Sequence, residues 1–366
     1  MAGDRGAPRV PRGAPSVGGL GAIRGPQFQQ DDLLGDVLKR VSRSFYLSLA
    51  ILPRGVREPV GLAYLLARAT DTVADTRLVP RVERIAHLEA LRRAYRGEPI
   101  DLAPLAGAVA QHQTHAAERH LLHRVGDAVD RIAALPADDR ARVRAVLETI
   151  TDGQLFDLTT FPGDDAAALA AIRTFDELDQ YTYLVAGCVG EFWTTIHIAH
   201  RPRLARWDPT AASRRGVRFG KALQLTNVLR DVPTDLAHGR CYLPAGDLTK
   251  LGLTPRDLLT PDGGRRARPL VHRLIGVALG HYEVAWRYTL DIPRREFRMR
   301  LACAWPLMIG LGTLAALAEH PDPLAAKAPV KLSRAAVRSI VVRSAFTVWS
   351  NAALGRDAAR LRARIH

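Results

Sequence analysis

Asn227, Asp231 and Asp235 recur at every fourth position of the stretch Asn227-Val228-Leu229-Arg230-Asp231-Val232-Pro233-Thr234-Asp235. The residues before it, Gly220 to Thr226, read as helix: no proline, and apolar residues on more than one face. A helix stacks positions i, i+4 and i+8 on one face, so the three polar residues form one row. Gln224 extends the row by one turn, and Pro233 leaves the last turn in question. Oxygen donors spaced this way suit Mg²⁺, which is commonly held by one or two carboxylates plus substrate phosphates. A second row consists of Asp71 and Asp75, with Arg68 a turn before Asp71 and Tyr64 a turn before that. It follows the apolar run Val60 to Ala69, where a carboxylate without a partner is costly to bury. A single row of this kind is equally a solvated acidic face. Two rows on two helices can hold a metal cluster that binds a diphosphate and stabilises it as a leaving group.

Other residues add to this chemistry. Ser42-Arg43-Ser44-Phe45 puts two hydroxyls beside a guanidinium, a set suited to phosphate oxygens, though it is also a helix cap followed by a core aromatic. Tyr181 precedes Val185-Ala186-Gly187 and Gly190 in one apolar stretch. A glycine costs about 1 kcal/mol inside a helix, so Gly187 and Gly190 need a reason, either close helix packing or room for a ligand. Arg240 lies in the loop His238-Gly239-Arg240-Cys241-Tyr242-Leu243-Pro244, where it can close over a diphosphate.

Four stretches in order, Ser42 to Phe45, Tyr64-x3-Arg68-x2-Asp71-Thr72-x2-Asp75, Tyr181-x3-Val185-Ala186-Gly187-x2-Gly190, and Gln224-x2-Asn227-x2-Arg230-Asp231-x3-Asp235-x3-Gly239-Arg240-x3-Pro244, resemble the squalene/phytoene synthases. These are the head-to-head prenyl transferases of the isoprenoid synthase fold, and the likeness spans roughly residues 35 to 345. It implies an all-α, single-domain helical bundle of the type I isoprenoid synthase fold around a central cavity. It implies that Asp71, Asp75, Asn227, Asp231 and Asp235 hold Mg²⁺. It assigns farnesyl diphosphate binding to Ser42, Arg43, Ser44, Phe45, Tyr64, Arg68, Val185, Gly187, Gln224, Asn227, Arg230 and Arg240, and makes Tyr181 the catalytic tyrosine. Val330-Lys331-Leu332-Ser333-Arg334 resembles the segment that helps bind NADPH in squalene synthases, which gives Lys331, with Arg43 and Arg68, a cofactor role. A lysine beside a helix start is also an ordinary surface feature.

The implied reaction condenses two farnesyl diphosphates to presqualene diphosphate and then reduces it with NADPH to squalene. Asp71-Thr72 resembles squalene synthases more than the Asp-Asp of phytoene synthases. Ala74 departs from the pattern, because it replaces an acidic residue found in some squalene synthases. No Gly-x-Gly-x-x-Gly dinucleotide loop is present, and the family binds NADPH without one. A phytoene or dehydrosqualene synthase shares every motif and needs no net reduction. Ser42 to Phe45 and Tyr181 argue against a terpene cyclase or head-to-tail prenyl transferase. The non-enzymatic alternative is a helical diphosphate-binding protein.

Composition fits these readings. The 366 residues carry 52 basic and 37 acidic side chains, a formal charge of +15, and 47% are hydrophobic, enough for a sizeable core. The excess suits an acidic partner. With no nucleic-acid motif or basic-aromatic interleaving, a phosphorylated substrate or an anionic membrane is favoured. Cys188, Cys241 and Cys303 lack metal spacing and indicate a reducing compartment. The expectation is a cytoplasmic monomer, in peripheral contact with the membrane.

The elements follow from periodicity and breakers. Residues 1–27 read as a disordered tail rich in Gly, Pro and Arg, 28–350 as the catalytic domain, and 351–366 as a basic tail able to touch anionic lipid. A helix starts near Asp31-Asp32 and runs toward Val41. Leu52-Pro53 breaks the chain before a helix from Arg57 to Thr76. Further helices are expected from Arg81 to Gly97, from Asp138 (as cap) to Leu155, from Phe175 to His200, from 215 to 236, and from Pro269 to Asp291. His112, His115, His120 and His123 read as a partly exposed helix. Gly153-Gln154 falls where the chain lines the cavity. Gly263-Gly264-Arg265-Arg266 reads as a turn. Leu301 to Ala318 is uncharged, yet Pro306, Gly310 and Gly312 interrupt it, so it reads as a buried helix lining an apolar tunnel more than as a membrane span.

Overall fold

A computed structural model describes residues 33–42, 46–322, 324 and 330–365. The tail at 1–27, the helix start at Asp31-Asp32, and Arg43, Ser44 and Phe45 lie outside the described residues. The architecture is all-α, and the strands among the described residues are one short parallel pair, Ala170–Ala171 against Arg240–Cys241.

Two apolar clusters make up most of the core. One gathers the helices of the first half around Leu62, Leu66, Leu91 and Leu147. The other gathers those of the second half around Leu229, Leu243, Leu274 and Leu314. The two aspartate rows lie on helices belonging to different clusters. The first, Arg54–Asp75, begins directly after Pro53, slightly before the expected Arg57. The second, Pro209–Ala237, is capped by Asp208, which accepts from the N–H groups of Thr210 and Ala211, with Pro209 in the first turn. It runs unbroken through Pro233 to Ala237, so Asp235 stays on the row.

The expected helix from Phe175 to His200 is in fact two helices, Phe175–Thr182 and Cys188–His200, joined by one π-helical turn, Tyr183–Gly187. Thr174 caps the first by accepting from the Glu177 N–H. Wide turns of this kind often sit at functional sites. Glycines let this segment lie directly on the second aspartate helix. A Cβ at Gly190 would press into the Gly216 carbonyl, and one at Gly220 into the Ala186 carbonyl.

Three expectations need correction. Asp138 is not a cap: Ala137–Thr160 starts after Pro136, with Asp138 and Asp139 in its first turn, where the helix dipole favours carboxylates. That helix also continues past Leu155 to Thr160. Gly263-Gly264-Arg265-Arg266 is helical, within Pro261–Arg266, because Thr260 caps it and Pro261 opens it. A Cβ at Gly263 would strike the Asp257 carbonyl, so close packing explains that glycine.

Arg294–Glu319 is long and apolar enough to cross a membrane, with mean hydropathy 1.8, yet 78% of its most apolar stretch is buried inside the protein. Arg300, fully buried, fastens its start by donating to the carbonyls of Ile292 (2.6 Å) and Val348 (3.1 Å) and to Asn351 Oδ1 (2.7 Å). The last helix, Asn351–Arg362, buries Leu354 and Ala358 against this body.

Candidate active site

Both aspartate rows face one polar cavity of about 350 Å³. Asp71 and Asp75 line it from the first row, and Asn227, Asp231 and Asp235 from the second, with Gln224 and Arg230 beside them. Of the other predicted residues, Tyr181, Val185 and Arg240 line it as well. Asp71, Val185, Gln224 and Asn227 also border an apolar cavity of about 390 Å³, lined further by Tyr64, Phe192 and Phe219. A third cavity, about 330 Å³, meets the other two at Asn227 and passes between Leu47, Trp305 and Val341. The polar end can hold charged groups while the apolar end takes hydrocarbon.

Arg240 owes its position to Gly239, whose φ of +78° is left-handed, and to the strand pair that sets Ala170 opposite Arg240. Its guanidinium reaches Asp75 Oδ1 at 3.4 Å and Asp157 Oδ2 at 3.7 Å. Arg230 forks both oxygens of the adjacent Asp231, with Nε to Oδ1 at 2.8 Å. Gln154 donates to Asp71 Oδ1 at 2.6 Å.

Four residues of this cavity are not in the predicted set: the apolar Val228, and the polar Gln154, Asp157 and Tyr242. Gln154 was expected only to line the cavity, and it orients Asp71. Asp157 is 5% exposed. Its Oδ2 accepts from Tyr242 at 2.7 Å and from Tyr181 at 3.4 Å. Its Oδ1 is buried with no partner among the described residues. The Tyr181 ring stacks on Tyr242 at 4.7 Å, and the two hydroxyls are 3.3 Å apart. Burial, then the Asp157 charge, holds both phenols well above their usual range, so they stay protonated. A helix expected to end at Leu155 hides Asp157, and Tyr242 comes to it from 85 residues away.

Other predicted residues lie elsewhere. Arg68 is paired with Glu118 at 2.7 Å and borders none of these cavities. Buried Ser42 spends its hydroxyl on the Leu38 carbonyl of its own helix. Gly187 is packed between Tyr183 and Val217, where a Cβ would come within 3.0 and 3.2 Å of them. Lys331 is exposed just before the helix Arg334–Thr347, apart from all three cavities.

The carboxylates lack enough positive charge. Asp71 and Asp157 are pushed up to about 7 and Asp235 to about 8, in each case chiefly by burial. The Asp75 charge adds to the shift at Asp71 and the Asp231 charge to that at Asp235, while Arg68 and Arg240 oppose them. This donor set fits hard divalent cations. Among the described residues no three acidic, His or Cys groups converge on one point, so each ion would draw its remaining ligands from diphosphate and water.

A pH effect follows. Unfolded, these carboxyls titrate near 3.8. Between about pH 4 and about pH 8 the folded chain keeps protons that the unfolded chain has released, so these groups lower stability as pH rises through that window. A bound cation replaces those protons, so Mg²⁺ should raise the melting temperature more at about pH 8 than at about pH 5.5. Thermal unfolding with and without Mg²⁺ checks this, and an equal shift at both pH values would contradict it.

Comparison with known proteins agrees with this geometry. The family model described as squalene/phytoene synthase matches residues 38–336. The presqualene diphosphate synthase of Rhodopseudomonas palustris is 30% identical over 314 residues, 82% of this chain and 92% of that protein. The 15-cis-phytoene synthase of Synechocystis sp. is 27% identical over 286 residues, 76% of this chain and 73% of that protein. Among solved structures, TcSQS in complex with the ligand E5700 superposes with a TM-score of 0.71 at 22% identity, covering 90% of each chain, which establishes the isoprenoid synthase fold. Motifs, cavity and comparisons agree that the chain belongs to the squalene/phytoene synthase family.

Proposed function

We propose that the chain condenses two farnesyl diphosphates head to head to presqualene diphosphate and carries this on to squalene. The observation that supports it best is the junction at Asp71, Val185, Gln224 and Asn227, where a carboxylate-lined cavity meets an apolar one. Asp71, Asp75, Asn227, Asp231 and Asp235 would hold Mg²⁺, which when bound would supply the charge that a departing diphosphate needs. Arg240, beside Asp75, and Arg230, beside Asp231, stand where they can bind its oxygens. The apolar walls keep water from an allylic cation. In the first half-reaction one C–O bond breaks, the second donor's C2–C3 double bond attacks the cation, and closing the cyclopropane releases one diphosphate and one proton. Tyr181, itself protonated, would take up that proton as it gives its own to Asp157 Oδ2, to which it already donates.

In the second half, the remaining diphosphate would leave, the skeleton would rearrange, and NADPH, when bound, would supply the hydride that completes squalene. The exposure of Lys331, apart from the cavities, favours a second reading, a phytoene or dehydrosqualene synthase that ends on a central double bond without reduction. Incubation with farnesyl diphosphate and Mg²⁺, with and without NADPH, followed by product identification, separates them. Squalene only with NADPH is the expected result, with Lys331→Ala accumulating presqualene diphosphate. Dehydrosqualene regardless of NADPH would select the second reading. An unchanged squalene yield in Lys331→Ala would assign that lysine to the ordinary surface.

A further inference from the structure

The helix Arg334–Thr347 has apolar residues on both sides. Its inner side packs Ile340, Val341 and buried Ser344 on the long apolar helix Phe297–Glu319, where the Trp305 Nε1–H donates to Ser344 at 2.8 Å. Among the described residues nothing packs on the outer side. Val342 is 58% exposed, Phe346 81%, and Trp349, just past the helix end, 50%. These positions fall at i, i+4 and i+7, on one stripe. A helix of a water-soluble body normally shows polar residues there. Trp349 also touches the Phe297 ring, with centroids 4.9 Å apart.

Around this stripe the acidic group, Asp357, is taken up by Arg343, and the charge left without an ion pair among the described residues is basic. Arg294, Arg295, Arg298 and Arg338 are exposed and form no ion pair among the described residues. Arg298 lies over the Phe297 ring at 5.9 Å. The third cavity runs between this helix and the Tyr46–Ala50 helix. Val341 lines it from one side, and Leu47, itself 47% exposed, from the other.

We propose that this face docks on an anionic lipid bilayer, with Val342, Phe346 and Trp349 entering the headgroup boundary and the arginines meeting lipid phosphates. An apolar stripe rimmed by basic residues is the pattern of interfacial helices, and aromatic side chains favour that depth. A second copy of the chain fits less well. A whole aromatic side chain offers about 150–250 Å², so this patch falls well short of the roughly 800 Å² per partner of a stable interface. Like-charged arginine rims would also face each other. The lipid contact places the third cavity beside the bilayer, which would let an isoprenoid leave without crossing water. This last point alone rests on the proposed function.

Flotation of the full chain with phosphatidylcholine vesicles, with and without phosphatidylglycerol, tests the docking in the absence of substrate. The expected result is binding that requires the anionic lipid. Val342→Glu with Phe346→Glu should lower bound protein about tenfold or more, as the apolar burial is lost, with melting temperature and turnover of dissolved farnesyl diphosphate unchanged. A separate variant, Arg294→Gln with Arg295→Gln and Arg298→Gln, should remove the preference for phosphatidylglycerol. Wild-type chain that leaves anionic vesicles unbound, or a Val342→Glu/Phe346→Glu chain that binds them as the parent does, would overturn the proposal. So would a parent that is dimeric by light scattering and becomes monomeric in that variant with vesicle binding intact. Turnover measured in the same preparations keeps failure of docking separate from failure of the proposed reaction.

Discussion

Asp71→Asn should lower turnover at least about 100-fold, as removal of a major electrostatic stabiliser does, while the folded chain becomes no less stable. The two effects have one origin. Asp71 sits where burial and the Asp75 charge push its carboxyl up to about 7, so ionised Asp71 is a cost to the metal-free fold. Asn keeps the shape and still presents an oxygen to Gln154 Nε2, now at 2.6 Å, but it carries no charge and cannot serve as an anionic metal ligand. A group that destabilises the fold and is needed for the reaction marks a functional site, where stability and activity move in opposite directions. Asp231→Asn should show the same loss of turnover without the gain in stability, because Arg230 already neutralises that carboxylate. Steady-state turnover of farnesyl diphosphate, with thermal unfolding of each variant, checks both. Near-normal activity in the two variants would remove the metal cluster from the mechanism.

The polar rows were legible in the sequence because helix spacing alone places them. Asp71 with Asp75, and Asn227 with Asp231 and Asp235, need only 3.6 residues per turn to share a face, and the structure sets both rows on one cavity. Pro233 was the one local reason for doubt, and the helix runs through it. What was not legible depends on contacts distant in sequence. Asp157 lies on a helix packed on more than one side, against Arg54–Asp75, Arg81–Arg96 and Cys188–His200. Its apolar residues therefore mark no single face, and periodicity gave no sign that the helix continued past Leu155. Tyr242 reaches the site only because Gly239 turns the chain and Arg240–Cys241 pairs with Ala170–Ala171. Gly263 misled in the same way, since it answers to packing against Asp257 and not to a turn, whereas Gly187 packs against Tyr183 and Val217, one of the two reasons its place in a helix offers. For Arg68, the sequence shows the guanidinium one turn from Asp71 but not Glu118, which takes it up from 50 residues away.

Tyr181→Phe separates two roles for that residue. The ring stacks on Tyr242 at 4.7 Å and lies 5.9 Å from Phe156, and phenylalanine keeps those contacts together with any π surface offered to a cation. Only the hydroxyl is lost. Its hydrogen bonds here are long, 3.4 Å to Asp157 and 3.3 Å to Tyr242, so as structure they are worth little. A neutral hydrogen bond contributes roughly 0.5–1.5 kcal/mol, a factor of about ten or less, whereas a positioned proton-transfer group contributes about 10²–10⁴-fold. Presqualene diphosphate formation should fall more than about 100-fold, with Mg²⁺-dependent binding of farnesyl diphosphate by calorimetry preserved, because in the proposed reaction the aspartate rows, Arg230 and Arg240 would hold the diphosphate. If the proton passes from Tyr181 to Asp157, then Asp157→Asn should cost a similar factor. The double variant should then cost little more than either single one, since residues acting as a unit are not additive. Tyr242 still finds an acceptor in the asparagine oxygen, so loss of its 2.7 Å bond would not explain such a result. Formation of presqualene diphosphate within about threefold of the parent in Tyr181→Phe, a change no larger than a lost neutral hydrogen bond explains, would make Tyr181 a packing residue and leave Tyr242 as the hydroxyl that donates to Asp157.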